Sequence, residues 1–204
     1  PPGRFVMGAP KDEAGRRIDE TPQHGVTITR PFYMSVAEIS WKLYGEVTRR
    51  GHNKTIHSQV SWDGAMEFCR KLSSRSRRTV RLPTEAEWEY ACRAGSEERF
   101  SFGIDEKDLN DYGWSIANSG GRYKIKPVAQ KLPNAWGLYD MHGGGLEWCG
   151  DWYGREYYAN AERLDPRGPA AGSRRVLGGG AGEDRPWHCG HACRSAALAD
   201  QKGE

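Results

Sequence analysis

The chain has 204 residues, of which 37% are hydrophobic and 11% aromatic, with 26 glycines and eight tryptophans. This composition is typical of a turn-rich globular domain and excludes a disordered chain, because it provides enough apolar surface for a core. The formal net charge is only +3, which argues against nucleic-acid binding, and no apolar run approaches the roughly 18 residues that a membrane span needs. An odd count of five cysteines leaves the cellular location open.

Three short helices are predicted, and a residue that can cap each one precedes it. Ser40 and Ser61 stand before segments with apolar residues at helical spacing. A serine oxygen at such a position can accept a hydrogen bond from a free amide of the first turn. Thr84 and Glu87 have the spacing of a capping box, which predicts that the third helix begins there.

Two cysteines, Cys69 and Cys92, fall on the second and third of these helices. We expect both to be small core residues, because free cysteine is among the most buried residue types. Strands are predicted at 4–7, 26–28, 32–35, 79–82 and 175–177.

Most of the region between Gly95 and Gly182 has the composition of loops, interrupted by aromatic residues. Long irregular stretches are uncommon in compact domains unless they form a functional surface or are tied by ions. Together with the short helices and strands, this pattern predicts an α+β domain.

The string RLPTEAEWEYA at 81–91 is highly specific, and four other segments accompany it: FVMG at 5–8, QHGVT at 23–27, NAWGLYDM at 134–141 and EWC at 147–149. Together they resemble the formylglycine-generating enzyme family, also called the sulfatase-modifying-factor family. The resemblance implies a C-type-lectin-like α+β fold, with few short helices around small twisted sheets and much irregular loop. It also implies one domain over 1–204, which is truncated at both ends relative to the family.

The copper(I) site of the oxidase members would fall at positions 184 and 189. Those members bind the soft ion with two cysteines, whereas the resemblance places Asp184 and Cys189 at these positions. A carboxylate is a hard oxygen donor and a poor replacement for a thiolate on copper(I). The Arg, Ser and Trp of the family's Arg-Gly-Gly-Ser-Trp motif have also become Gly178, Ala181 and Gly182. These departures favour a protein that is not an enzyme.

An oxidase remains the alternative function, with Cys193 in place of the missing thiol. Cys189 and Cys193 would then be the catalytic copper pair of an O₂-dependent enzyme that converts a protein cysteine to formylglycine. A structural or assembly subunit is a further alternative.

The stretch DRPWHCGHAC at 184–193 holds two cysteines and two histidines. Adjacent side chains of an extended loop point to opposite sides, so these four would not converge easily on zinc or copper. We interpret loop 178–194 as a surface that recognises a protein or glycan, with Trp187 as an aromatic anchor. The expected polar contacts come from Asp184, Arg185, His188, His191 and Arg194. A variable protein diversified by a retroelement would be a special case.

Residues 140–147, DMHGGGLE, match a family segment that binds calcium. The resemblance assigns the side chains of Asp140 and Glu147 and the backbone carbonyls of Gly143 and Gly145 as ligands. Calcium prefers hard oxygen donors of this kind on a curved loop. The alternative without a metal is that Glu147 only caps backbone amides. The family's second calcium site would include Trp114, which replaces a ligand asparagine, so we expect that site to be absent.

Overall fold

The computed structural model describes residues 1–49, 60–120, 126–180, 189–190, 192 and 194–199. Helices and small antiparallel sheets occur together in these ranges, which confirms the α+β class. The helices are α1 (Trp41–Thr48), α2 (Trp62–Ser76), α3 (Glu85–Arg93) and α4 (Leu109–Tyr112). The strands are β1 (Gly3–Met7), β2 (His24–Ile28), β3 (Glu147–Trp152), β4 (Arg175–Gly178) and β5 (Arg194–Ala197). Within the same ranges, we find no helix with the length and hydrophobicity needed to cross a bilayer.

The three predicted helices are confirmed together with their caps. The side chains of Ser40 and Ser61 each accept a hydrogen bond from the backbone amide three residues further on. Thr84 and Glu87 exchange the two bonds of a capping box at the start of α3. Local capping chemistry therefore defines where α1, α2 and α3 begin.

Both sheets are antiparallel: β1 pairs with β2, and the second sheet has the order β3-β4-β5. The predicted strands at 4–7, 26–28 and 175–177 are confirmed within β1, β2 and β4. The expected strands at 32–35 and 79–82 are wrong, since neither segment pairs as a strand.

Segment 79–82 is held by a helix instead of a sheet. The Ser73 hydroxyl of α2 accepts a hydrogen bond from the Val80 amide and donates one to the Val80 carbonyl. The prediction of loop between Gly95 and Gly182 also missed β3. Its sequence, EWCGDW, combines two tryptophans, which favour strands, with glycine and acidic residues, which are depleted in strands, so strand propensity gave a mixed signal there.

Helix α3 lies against both sheets and contributes to two parts of the core. One cluster combines α3 with the 138–149 region and β4, and its buried members are Trp88, Ala91, Cys92, Leu138, Met141, Cys149 and Val176. Cys69 is buried in a separate cluster with Tyr44, Val47 and Phe68. The expectation that Cys69 and Cys92 are core residues is confirmed.

The sheet β3-β4-β5 positions the candidate site. Gly178, at the end of β4, pairs with Arg194, at the start of β5, so loop 178–194 closes on a paired base. Gly178 also pairs with Glu147 on the opposite side. The 140–147 loop, which leads into β3, is therefore adjacent to the base of loop 178–194.

Candidate functional site

Asp140 is a buried carboxylate on the loop before β3. Its Oδ2 atom accepts a hydrogen bond of 2.6 Å from the Ala129 amide. Its Oδ1 atom is buried without a hydrogen-bond partner. Burial raises the pKa of this carboxyl above its usual value, although the bond from Ala129 opposes the shift. Leaving a buried acceptor unsatisfied is costly, which makes Oδ1 a candidate ligand for a cation.

Glu147 is the second predicted calcium ligand and begins β3. Its Oε2 atom accepts a hydrogen bond of 3.1 Å from the Trp88 indole. Burial raises the pKa of Glu147 to about 7; the Trp88 bond opposes this shift, and the charge of Asp140 adds to it. The carboxylate thus contacts a side chain of α3, while the cap on backbone amides, which was the alternative without a metal, is not among its described bonds.

A third carboxylate, Glu38, joins these two although sequence reasoning did not single it out. The pKa of Glu38 is raised to about 8, mainly by burial and also by the negative charges of Glu147 and Asp140. A hydrogen bond from the Gly145 amide opposes this shift. Its Oε1 atom is buried without a hydrogen-bond partner. That atom lies 3.3 Å and 3.2 Å from the points where a Cβ would stand on Gly144 and Gly145. No local pattern marks Glu38, because it is about 100 residues away in sequence.

Asp140, Glu147 and Glu38 form an electronegative cluster, in which Oδ1 of Asp140 and Oε1 of Glu38 have no hydrogen-bond partner. A divalent cation would reduce the repulsion between the carboxylates and would coordinate these two oxygens. Side chains alone do not complete such a site. In the described ranges, no three His, Cys, Asp or Glu side chains converge as a metal-binding group. A cation at 140–147 would therefore also need the predicted carbonyl oxygens of Gly143 and Gly145, and calcium accepts such mixed oxygen donors.

The loop turns sharply at Gly143, where φ is +129° and a Cβ would overlap the carbonyl of Trp114. Only glycine meets both conditions without strain. Trp114 itself carries two ammonium groups over its ring, Lys126 at 4.8 Å and Lys131 at 4.2 Å. Two positive charges thus lie over the ring of the residue that replaces a ligand asparagine, and the absence of the second calcium site stays a prediction.

His142 lies between these calcium-loop residues and Cys189. Its Nε2 accepts a bond of 3.1 Å from the Ser101 amide, and the Ser101 hydroxyl lies 2.8 Å from the same atom. Because an amide can only donate, the ring proton is on Nδ1, which donates to the Cys189 carbonyl at 2.9 Å. Burial lowers the pKa of His142 to about 4, so the ring is neutral at physiological pH.

Cys189 is the one member of the copper pair of the alternative oxidase function that the structure describes. It is 0% exposed and packs in an apolar cluster with Phe100 and Leu109. Cys193, its partner under that alternative, lies outside the described residues. The same holds for most of the predicted ligand-contacting side chains, namely Asp184, Arg185, Trp187, His188 and His191.

Arg194 corrects one prediction. This side chain was expected on the surface of loop 178–194, yet it is only 2% exposed. Its Nε lies 2.6 Å from Oε1 of Glu85, and its Nη1 donates to the Asp19 carbonyl at 2.9 Å. The guanidinium also lies 4.3 Å from the centre of the Tyr158 ring. Arg194 begins β5 facing the interior, so it supports the loop base and does not present itself to a ligand.

The sequence is similar to a known protein family and to several of its members. Residues 57–204 match the family described as "Sulfatase-modifying factor enzyme 1-like domain". A formylglycine-generating enzyme from Streptomyces coelicolor is 32% identical over 164 residues, which are 74% of this chain and 50% of that protein. The chain spans about half the length of the curated relatives it matches.

Two solved structures share the fold over essentially the whole chain. PvdO from Pseudomonas aeruginosa has a TM-score of 0.87 and 27% identity, covering 100% of this chain and 88% of its own. Treponema denticola variable protein 1 has a TM-score of 0.80 and 25% identity, covering 97% and 87% respectively. Proteins with different names thus share this scaffold, and one fold can host many functions.

Proposed function

Because the chain belongs to the family of sulfatase-modifying factor enzyme 1-like domains, we propose that it uses this scaffold as a non-catalytic recognition module for a protein or glycan. Loop 178–194 is the binding surface, and calcium orders the neighbouring 140–147 loop. The observation that carries the proposal is that the sequence has Asp184 at one of the two copper positions of the oxidase members, while Cys189, at the other, is fully buried.

The donor chemistry supports a structural role for Cys189. Its thiol lies in an apolar cluster with Phe100 and Leu109. Copper(I) favours two soft thiolates, and Asp184 offers a hard carboxylate in place of one of them. Retaining one thiol in the core is consistent with a fold that has kept its packing after losing the copper pair.

The base of the loop supports a recognition role. Gly178 and Arg194 pair across β4 and β5, and the buried contact between Arg194 and Glu85 holds the start of β5. Binding residues are commonly carried on loops that a rigid scaffold positions. Trp187 supplies the large apolar contact in this proposal, and the polar contacts are Asp184, Arg185, His188 and His191.

Calcium fits the oxygen donors of the 140–147 loop and Glu38. Asp140 and Glu147 provide carboxylates, Gly143 and Gly145 provide carbonyls, and Glu38 adds a third carboxylate. The unpaired buried oxygens of Asp140 and Glu38 support this assignment. When bound, the cation neutralises the cluster and fixes the curvature of the loop; its role here is structural.

Two observations favour particular versions of the function. Similarity to Treponema denticola variable protein 1 supports the version in which this chain is a variable recognition protein, and we propose diversification by a retroelement as part of that version. Similarity to formylglycine-generating enzymes favours the alternative of a copper-dependent oxidase that uses Cys189 and Cys193. A structural or assembly subunit, the third possibility, would need neither a ligand at the loop nor copper.

Binding to a glycan array and to a displayed peptide library tests the proposal. Wild-type protein should bind at least one probe, and Trp187→Ala combined with His191→Ala should weaken that binding about 30-fold or more, as expected for a hot spot. Trp41→Ala is the matched control, because Trp41 is an exposed tryptophan on α1 (38%) and should be neutral. Equal binding by all three proteins, or no binding by the wild type, would overturn the proposal.

A further inference from the structure

We propose that His142 is a positioning residue that couples cation binding at the 140–147 loop to the placement of Cys189, within loop 178–194. This inference rests on the proposed function, since it needs calcium at Asp140 and Glu147. It assigns a further role to calcium: the cation fixes the position of Cys189 in addition to stabilising the fold.

The first link is the His142 ring. His142 lies between two proposed calcium ligands, Asp140 and Gly143, so its backbone moves with the cation site. Its Nδ1 donates to the Cys189 carbonyl at 2.9 Å, and its Nε2 is held by Ser101. With both ring nitrogens bonded and the ring buried, His142 has little freedom to move independently of its neighbours.

The second link is at the other end of loop 178–194. Glu147 pairs with Gly178 where β3 meets β4. The carbonyl oxygen of Gly145, another proposed ligand, lies 3.5 Å from the point where a Cβ would stand on Gly179. The calcium loop therefore touches both the start of loop 178–194 and Cys189 near its end.

The three consecutive glycines 143–145 supply the element that a cation would order. Glycine has more accessible backbone conformations than any other residue, so this stretch loses much entropy when it becomes fixed. A cation that fixes the stretch would also fix the two contacts to loop 178–194. Because coupling between sites is reciprocal, a ligand that holds loop 178–194 should raise calcium affinity by the same factor.

Alkylation of Cys189 by iodoacetamide measures this coupling. The rate at Cys189 is followed by peptide mass spectrometry, with excess calcium or with a chelator. Calcium should slow it by about tenfold, within the range typical of coupled sites. Cys69, buried in the separate cluster with Tyr44 and Phe68, is the internal control: the rates are compared under native conditions in which Cys69 stays unreactive with and without calcium, so that reaction at Cys189 reports local opening and not global unfolding.

Two variants separate the hydrogen bond from packing. His142→Asn keeps a donor close to the position of Nδ1, whereas His142→Gln keeps a polar group close to Nε2 and loses the donor to Cys189. In His142→Asn calcium should still protect Cys189. In His142→Gln calcium should still raise Tm, and protection of Cys189 should be lost.

The outcomes distinguish the coupling from the calcium site itself. If calcium does not raise Tm of the wild type, the proposed calcium assignment fails, and the coupling fails with it. If calcium raises Tm and Cys189 reacts equally fast with and without it, the coupling alone is overturned. Full protection in His142→Gln, or equal loss in both variants, would contradict the role given to Nδ1. A variant that fails to fold is identified by fast alkylation of Cys69, and the wild-type comparison still decides the coupling.

Discussion

Arg194 and Glu85 form an ion pair in the interior, with Nε 2.6 Å from Oε1 and a hydrogen bond of 2.9 Å from Nη2 to Oε2. The residues are 2% and 6% exposed. Removing one member of such a pair leaves an uncompensated buried charge, so Arg194→Met should lower the free energy of unfolding by about 3–5 kcal/mol. Urea unfolding measures this loss.

Two comparisons show whether the loss belongs to the pair. Arg78→Met, at an exposed arginine, should change stability by less than about 0.5 kcal/mol. The double variant Glu85→Gln with Arg194→Met should cost less than the sum of the two single changes, because the residues are coupled. A nearly neutral Arg194→Met would show that the side chain does not support the base of the loop.

Calcium should stabilise the protein measurably. At a free calcium concentration 100 times the Kd, the free energy of unfolding should rise by about 2.7 kcal/mol. Asp140→Asn and Glu147→Gln should each reduce this rise strongly, since each removes a charged ligand. Thermal unfolding with calcium and with a chelator gives the comparison, and Asp12→Asn, at an exposed site, is the control. An unchanged calcium effect in both ligand variants would refute the assignment.

The glycine at position 143 should resist substitution more than a glycine with the same backbone angle elsewhere. Gly143 and Gly103 both have φ of +129°, yet a Cβ has open space at Gly103 and meets the Trp114 carbonyl at Gly143. Gly103→Ala should therefore show only backbone strain, of order 1–3 kcal/mol. Gly143→Ala should cost more in urea unfolding and also weaken calcium binding; equal costs would contradict the close approach.

Without calcium, stability should rise as the pH falls from about 8 to about 6.5. Burial is the main cause that raises the pKa of Glu38 to about 8 and those of Glu147, Glu20 and Asp151 to about 7. These values exceed the ordinary 4.5 or 3.8, so the folded state takes up protons in this range while the unfolded state does not. Below about 6.5 the lowered pKa of His142 acts in the opposite direction.

Unfolding free energies measured at several pH values test this effect. Glu38→Gln should reduce the slope, because it removes the group with the highest of these values. Calcium should also reduce the dependence of the unfolding free energy on pH, since a bound cation keeps the carboxylates ionised. A calcium-free protein that becomes less stable between pH 8 and 6.5 would contradict the electronegative cluster at Glu38 and Glu147.

Some elements could be predicted because their signals are local. Ser40, Ser61 and Thr84 determine helix starts through bonds to residues three positions away, so short windows of sequence contain the whole interaction. The RLPTEAEWEYA string likewise identified the family without any structure. Strand β5 was missed: it pairs with β4 across a long loop, so no local pattern specified it.

The candidate site could be predicted only where the family motif continues along the chain. Asp140 and Glu147 belong to one such motif, whereas Glu38 joins them through tertiary structure alone. Arg194 was misassigned for a related reason: an arginine beside a polar loop is usually exposed, and only the buried carboxylate of Glu85 explains why this one faces inward. The partner that makes a charged residue buried is distant in sequence.

The central claim is that the chain recognises a ligand and has lost the oxidase chemistry of its relatives. The most direct test incubates the purified protein with copper(I), oxygen and a sulfatase-type Cys-x-Pro-x-Arg peptide, and follows the peptide by mass spectrometry. We predict an unchanged peptide, with Cys189→Ser indistinguishable from the wild type. Repeated turnover to the aldehyde that is abolished by Cys189→Ser would contradict the account.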